Sequence, residues 1–428
     1  MSWFADIILI PLLKIGVIVF GFAMLIGSGL TLVERKQSAY IQRRHGPNRA
    51  YLFNKNMRFN GLFHLVADGI KMLLKEDFIP HGANRPLHLL APMLGLIPAM
   101  IIFAIVPFMD YACTGAMAAP IAGKDYCFPA DLGLLASAPL ADLSNPLHNP
   151  DLNHWFQIAN IHSGLLYIFA VTGLAVYGSA IAGWASNSKF SLLGGLRASA
   201  QMISYEVSMG LSLAGILMIY GTLDVNEMVR EQGQLLFGVV PQWGIFLQPL
   251  AFFLFLTASI AESKRAPFDM PEAESELVAG YFTEYSSMKF AVFSLGEFVT
   301  VVFIAAIVST LFLGGWQIPW LYADGFHFTS ASMPNAIAAQ ELTVAALQSA
   351  LNSNAEFAPD IPLPYWVVVG MRITGFVVKV LLMCFLQLQF RWTVPRFRYD
   401  QIMHLGWKIL LPLSIANLVV TALVMLIL

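Results

Sequence analysis

Eight segments of the chain are apolar almost without interruption: about Phe4–Val33, Leu87–Met109, Trp155–Gly183, Ala198–Gly221, Trp243–Ala261, Phe290–Gly314, Pro364–Leu388 and Gly406–Leu428. A helix rises about 1.5 Å per residue, so roughly 20 apolar residues cross the hydrocarbon core of a bilayer, and each segment qualifies. The apolar residues run on rather than alternating with polar ones, which predicts helices and not the strands of a membrane barrel. Pro92, Pro98 and Pro249 fall inside these segments, where neighbouring helices tolerate them. A further helix is predicted between the first two segments. From Leu62 to Phe78 apolar residues recur at helical spacing around Asp68, Lys71 and Lys75, the pattern of an amphipathic helix lying at the membrane interface. The fold class is therefore all-α: a single polytopic membrane domain over residues 1–428, with about eight transmembrane helices and one interfacial helix in the first loop.

Composition excludes the soluble alternative. Only 12% of residues are charged and 57% are hydrophobic, whereas a soluble domain carries about 25% charged residues to cover its surface. The net charge of −2 offers no basis for a nucleic-acid partner. The first segment reads as a span rather than a cleaved signal. Met1 to Ala5 hold no basic residue, and the apolar run exceeds the roughly 7–15 residues of a signal core.

The distribution of the 24 Lys and Arg orients the helices. Nineteen fall in alternate loops, at about residues 34–86, 184–197, 262–289 and 389–405, the last set including Lys408 at the following helix edge. The other loops hold only Lys124 and Arg230, although those at about 110–154 and 315–363 are long; Lys14, Arg372 and Lys379 lie within spans. By the positive-inside rule the basic loops face the cytoplasm and both termini face outward. The long outward loops are expected to carry short helices, one of them around Ala336–Leu351.

Three cysteines are too few for a disulfide framework or a cysteine-ligated cluster. Cys384 reads as a buried packing thiol, and Cys113 and Cys127 share one polar loop in which pairing is open to them in an oxidising compartment. No cysteine or histidine cluster has metal-ligand spacing, and no phosphate-binding or dinucleotide turn is present. Redox chemistry, if any, then falls to a cofactor-bearing partner.

Acids inside a membrane are costly enough to be functional candidates. Glu206 lies near the start of the fourth span, Glu262 closes the fifth and Glu297 lies in the sixth. Arg372 and Lys379, seven residues apart, share a face of the seventh, with Lys379 expected to snorkel to the cytoplasmic edge. The loop AESKRAPFDMPEAESELVAGYFTEY sets Asp269, Glu272, Glu274, Glu276 and Glu284 among aromatic residues behind Lys264 and Arg265. Glu272 and Glu276 are four residues apart and repel on one helix face, so one of them holds a proton more tightly. That suits a proton relay, and a charged surface for a partner accounts for the segment as well. Asp68, on an otherwise basic and apolar helix, fits a simple headgroup anchor least.

VERK, RRHGPNR, ADGIKMLLKEDFIP, GWASNS, LRASAQMISYEV, RAPFDMPEAESELVAGYFTEY and PRFRYDQIMHLGWK occur in order from the first span to the last. Together they resemble the H-subunit family of NADH-quinone oxidoreductase, the respiratory complex I membrane component also called mitochondrial subunit 1. The resemblance implies a subunit that anchors the peripheral arm to the membrane arm, lines a quinone chamber and begins a chain of carboxylates into the proton-pumping arm. Quinone would be the substrate, with NADH, FMN and iron–sulfur clusters held by partner subunits. It further implies that Arg35, Arg44, Asp68, Arg265 and Phe268 border the chamber. Glu206, Glu262, Asp269, Glu272, Glu274, Glu276, Glu284 and Glu297 would form or flank the relay. The partners implied are the other subunits of both arms, quinone and lipid, with no nucleic acid. The strong charge bias favours a bacterial inner membrane over a mitochondrial one. Three features depart from the family pattern: the long outward loops, His64-Leu65 where Gln-Pro is common, and His45 before Gly46-Pro47. The related subunits of membrane-bound hydrogenase and reduced-F420 dehydrogenase complexes are the nearest alternatives. A stand-alone ion or solute transporter is a more distant one, disfavoured by the lack of an internal repeat and by the large cytoplasmic loops.

Overall fold

The computed structural model describes residues 9–50, 61–110, 156–236, 240–270, 278–322, 325–327 and 360–427, with four short strands between 112 and 153. Seven helices are long and apolar enough to cross a membrane: α1 (Ile10–Ile41), α3 (Arg85–Ala104), α4 (Gly164–Ala185), α5 (Lys189–Tyr220), α8 (Ser287–Phe312), α9 (Tyr365–Thr393) and α10 (Tyr399–Ile427). Between them lie α2 (Phe63–Leu74), α6 (Val225–Glu231) and α7 (Pro249–Glu262). The chain is an all-α polytopic membrane protein, and α2 is the amphipathic helix that the sequence predicts.

The fifth apolar segment is not one continuous helix. A single turn at Gly244–Leu247 ends at Gln248, whose backbone leaves the helical region (φ −138°, ψ 65°), and α7 starts anew at Pro249. A residue before proline is pushed out of the helical region, and freed polar groups at membrane depth need partners inside the protein. Here α10 supplies them. Gln248 donates to Thr421 (2.6 Å) and accepts from Asn417 (2.9 Å).

Several helices run past the hydropathy limits. α5 begins at Lys189, ahead of the apolar run, and spans 32 residues, roughly 48 Å at about 1.5 Å per residue. It ends where Gly221 turns left-handed (φ 66°), a cap that favours glycine. α8 is the most buried span and the hub of the bundle, lying against α1, α3, α7 and α9. Phe103, Phe303, Phe312, Trp316 and Phe376 fill the space around it. Lipid is as apolar as these side chains, so close approach and interhelical hydrogen bonds hold the bundle together. Gly194 shows the first of these. A Cβ there would lie 2.7 Å from the Gly280 Cα, so its absence lets the 278–286 segment dock on α5.

The two ends of the bundle differ. One end carries α2, the Lys264–Ser286 segment and the start of α10; it is called the loop face below. The opposite end is closed by α6 and short antiparallel ribbons: Ala112–Cys113 with Leu152–Asn153, Met117–Ile121 with Lys124–Phe128, Leu235–Leu236 with Val240–Pro241, and a three-stranded set over Leu321–Tyr322, Gly325–Phe326 and Ile361–Pro362. The described parts of the long loops are thus strand ribbons rather than helices. The helix expected around Ala336–Leu351, and the side chains of Cys113 and Cys127, lie outside the described residues. Cys384 is a buried free thiol.

The expectation for Lys379 is overturned. Its ammonium does not reach the loop face; it donates to the carbonyls of Leu313 (2.7 Å), Gly315 (2.9 Å) and Gln317 (2.6 Å) just beyond the end of α8. A helix end presents carbonyls without intrahelical donors, and a half-buried ammonium satisfies three of them more cheaply than by travelling to water. Arg372, on the same face of α9, donates to the Leu321 carbonyl (2.9 Å).

Candidate functional site

The loop face gathers the charged residues around the end of α7. Gln201, fully buried on α5, donates to the carbonyls of Ala261 (2.7 Å) and Phe268 (2.8 Å), so one side chain fixes both ends of the turn after α7. Phe268 is 5% exposed and lies between the rings of Tyr205 (5.9 Å) and Phe397 (5.4 Å), inside the aromatic core. Asp269 is buried and accepts from Arg396 (3.0 Å). Together these tie the loop to α5 and to the segment leading into α10.

Arg265 and Arg391 converge on an acid that the sequence pattern did not single out. Glu34, near the end of α1, accepts from Arg265 at 2.9 Å and from Arg391 at 3.1 Å. Arg265 also lies 3.6 Å above the Phe298 ring of α8, a favourable placement for a guanidinium. The signal was present in VERK, an acid at the head of a basic run, and Arg265 and Arg391 need a buried counter-charge. Arg35, one residue on, pairs instead with Asp68 on α2, with side chains 52% and 41% exposed. That pair accounts for Asp68 on its amphipathic helix. Arg44 is exposed and donates to Gln42 (2.7 Å). Glu284 is half-buried, and its carbonyl is 3.3 Å from His88 Nε2. Glu272, Glu274 and Glu276 lie outside the described residues.

The three intraspan acids come together. A cavity of about 40 Å³ lies between α3, α4, α7 and α8, with Glu262, Glu297, Lys264 and the Tyr281 hydroxyl in its lining. That volume and polarity suit a few water molecules. The Tyr281 hydroxyl donates to Glu297 at 3.2 Å. A second, apolar cavity of about 20 Å³ touches the first at Thr172, Glu262, Thr300 and Phe303 and runs toward Leu165 and Ile307. Glu206 sits near the middle of α5, within electrostatic reach of Glu262. Its carboxylate packs against Gly173 of α4, where a Cβ would lie 3.3 Å from Oε1. Glu262 therefore stands between Glu206 and the cavity shared with Glu297.

The structure thus divides the predicted site residues into three groups. Glu206, Glu262 and Glu297 form one cluster; Arg265, Phe268 and Asp269 form the turn above it; Arg35 and Asp68 make a separate exposed pair, apart from Arg44. Among the described residues, no group of three or more His, Cys, Asp or Glu is placed to hold a metal. The arrangement can hold and exchange protons among buried carboxylates beneath a strongly basic rim.

A sequence model of the NADH dehydrogenase family matches residues 13–422. Among curated proteins, the second of two NADH-quinone oxidoreductase H subunits of Koribacter versatilis is 40% identical over 425 residues, covering 99% of each chain. The first H subunit of Cytophaga hutchinsonii is 36% identical over 94% of this chain and 93% of its own. The second H subunit of Geobacter metallireducens is 37% identical over 95% of this chain and 93% of its own.

Proposed function

The chain belongs to the H-subunit family of NADH-quinone oxidoreductase, a membrane component of the complex I enzyme, and from that premise we propose that it passes quinone to the peripheral arm and starts a carboxylate relay into the membrane arm. The observation that carries this reading is the cluster of Glu206, Glu262 and Glu297 around a water-sized cavity directly beneath the Arg265 turn. A quinone has an apolar tail and a polar head and takes up two protons when reduced. A passage for it needs apolar walls with a few charged groups, which Arg35, Arg44, Asp68, Arg265 and Phe268 supply on the loop face. Protonation changes there alter the field on carboxylates nearby. Glu262 lies where such a change would reach both Glu297 and Glu206.

In this reading the basic loop face is cytoplasmic, both termini face outward, and the membrane is a bacterial inner membrane. Asp269, Glu284 and the Glu272–Glu276 segment flank the relay on the side that meets the peripheral arm. NADH, FMN and iron–sulfur clusters belong to partner subunits, which this chain would contact along with the neighbouring membrane-arm subunits.

The test is gentle purification of the tagged chain from its own membrane, followed by assay of what co-elutes. Flavin and iron–sulfur partners with NADH-driven quinone reduction are expected; a lone polypeptide would refute the reading. In the assembled complex Glu206→Gln should slow turnover or pumping by at least tenfold, the scale of a lost proton-transfer group. Normal proton translocation in that variant removes Glu206 from the relay.

A further inference from the structure

We propose that Lys264 is a positioning residue for the Glu262 and Glu297 pair: its ammonium, set against Tyr281, is the shared counter-charge that fixes how many protons the cavity holds. The proposal rests on the relay reading above and names a control element within it.

Lys264 follows α7 by two residues, and its backbone is left-handed (φ 57°). A residue with a side chain adopts that conformation only where its surroundings impose it, and such residues gather at functional sites. The consequence is visible in the cavity. Lys264 lines it beside Glu262, although its neighbours in sequence belong to the basic rim. Its Nζ donates to the Tyr281 hydroxyl oxygen at 3.5 Å and sits 5.5 Å from the ring centroid. Tyr281 is fully buried, packed against Phe282 and Phe293, and its hydroxyl donates onward to Glu297. Ammonium, hydroxyl and carboxylate thus form one line with every donor pointing the same way.

The other charges near the pair have other commitments. Arg265 and Arg391 both act on Glu297, but both are bound to Glu34. Glu206 adds a like charge on the far side of Glu262. Lys264 is the cation whose field both Glu262 and Glu297 feel. With it in place, two carboxylates in one small cavity have a common positive neighbour. Without it, like charges face each other and the pair keeps a proton to higher pH.

The experiment uses the assembled NADH-quinone oxidoreductase and measures NADH-driven reduction of a short-chain quinone across pH. NADH oxidation by a hydrophilic acceptor serves as a control on the peripheral arm. Lys264→Met is expected to move the profile to higher pH by about one unit, the usual effect of removing one nearby opposite charge. Lys264→Arg should return it, and Tyr281→Phe should move it less in the same direction. An unchanged Lys264→Met profile, or turnover reduced by the same factor at every pH, overturns the proposal. If Lys264→Met does not assemble, the Tyr281→Phe profile decides by the same criteria. Failure of the relay reading itself looks different: Glu206→Gln then pumps normally, whatever Lys264 does.

Discussion

Glu34 and Arg265 join the end of α1 to the turn after α7 through a 2.9 Å ion pair, and Arg391 reaches the same carboxylate from the end of α9. Three separate helices are therefore fastened at one acid, directly above the carboxylate cavity. Removing one partner of a buried pair leaves the other charge stranded, at a cost of about 3–5 kcal/mol when both are fully buried. Arg391 is a quarter exposed, so Glu34→Ala should cost less, about 2–3 kcal/mol. Thermal inactivation of the purified complex would show it as an earlier loss of quinone reductase activity. Glu34→Asp should lie between wild type and Glu34→Ala; equal stability of all three proteins would mean that the fastening is unimportant.

At the opposite end, Asp224 caps α6 by accepting from the Asn226 backbone N–H at 2.9 Å. Burial raises its carboxyl above the ordinary range, opposed by the hydrogen bonds from the Asn226 and Glu227 backbone, while Glu227 adds to the rise and His162 lowers it. A raised folded value means that the fold favours the protonated form. The stability from this group is present at low pH and is lost as pH rises from the unfolded value through the folded one. Asparagine caps as well as aspartate and carries no charge to desolvate. Asp224→Asn should therefore melt at the same temperature as wild type or higher at neutral pH, with a flatter acid-side dependence. A lower melting temperature at neutral pH would show that the charge is needed there.

Gly173 leaves the space in which the Glu206 carboxylate lies, and a Cβ would come within 3.3 Å of Oε1. The neighbour must then yield by a few tenths of an ångström, which an interior packed like a crystal resists. Gly173→Ala is expected to lower turnover severalfold without preventing assembly, and Gly173→Val to lower it further. Proton pumping per NADH in sealed vesicles is the measurement. Wild-type pumping in Gly173→Val would show that Glu206 does not depend on this contact.

How much of this was legible follows from where charge is expensive. Inside a span every acid stands out, so Glu206, Glu262 and Glu297 were recognisable from hydropathy alone. At helix ends charge is cheap, and nothing in the pattern separated Glu34, Lys264 or Tyr281 from their polar neighbours. Hydropathy also could not see the break at Gln248, because the apolar run continues on both sides of it; only the Gln248-Pro249 pair hinted at an interruption. Nor does it mark where a helix continues into water, which is why α5 begins at Lys189. The pairing of Asp68 with Arg35 needed the fold to bring α2 back to α1.

Lys379 carries the last prediction, because the sequence and the structure disagree about it. An ammonium has three donors on one atom, and here they meet three carbonyls at 2.6–2.9 Å around the end of α8, with the Trp243 ring 4.5 Å away. Methionine keeps the length and loses every donor. Each carbonyl left unpaired costs about 1–3 kcal/mol, reduced where water reaches the site, so Lys379→Met should destabilise the protein by about 2–4 kcal/mol. Arginine keeps the charge, but its planar fork cannot address three carbonyls gathered around one point. Lys379→Arg should therefore restore less than half of the loss. The comparison is made by the temperature at which this chain aggregates from the purified complex. Full recovery with arginine would show that charge alone, and not the three-donor geometry, holds the end of α8 to α9.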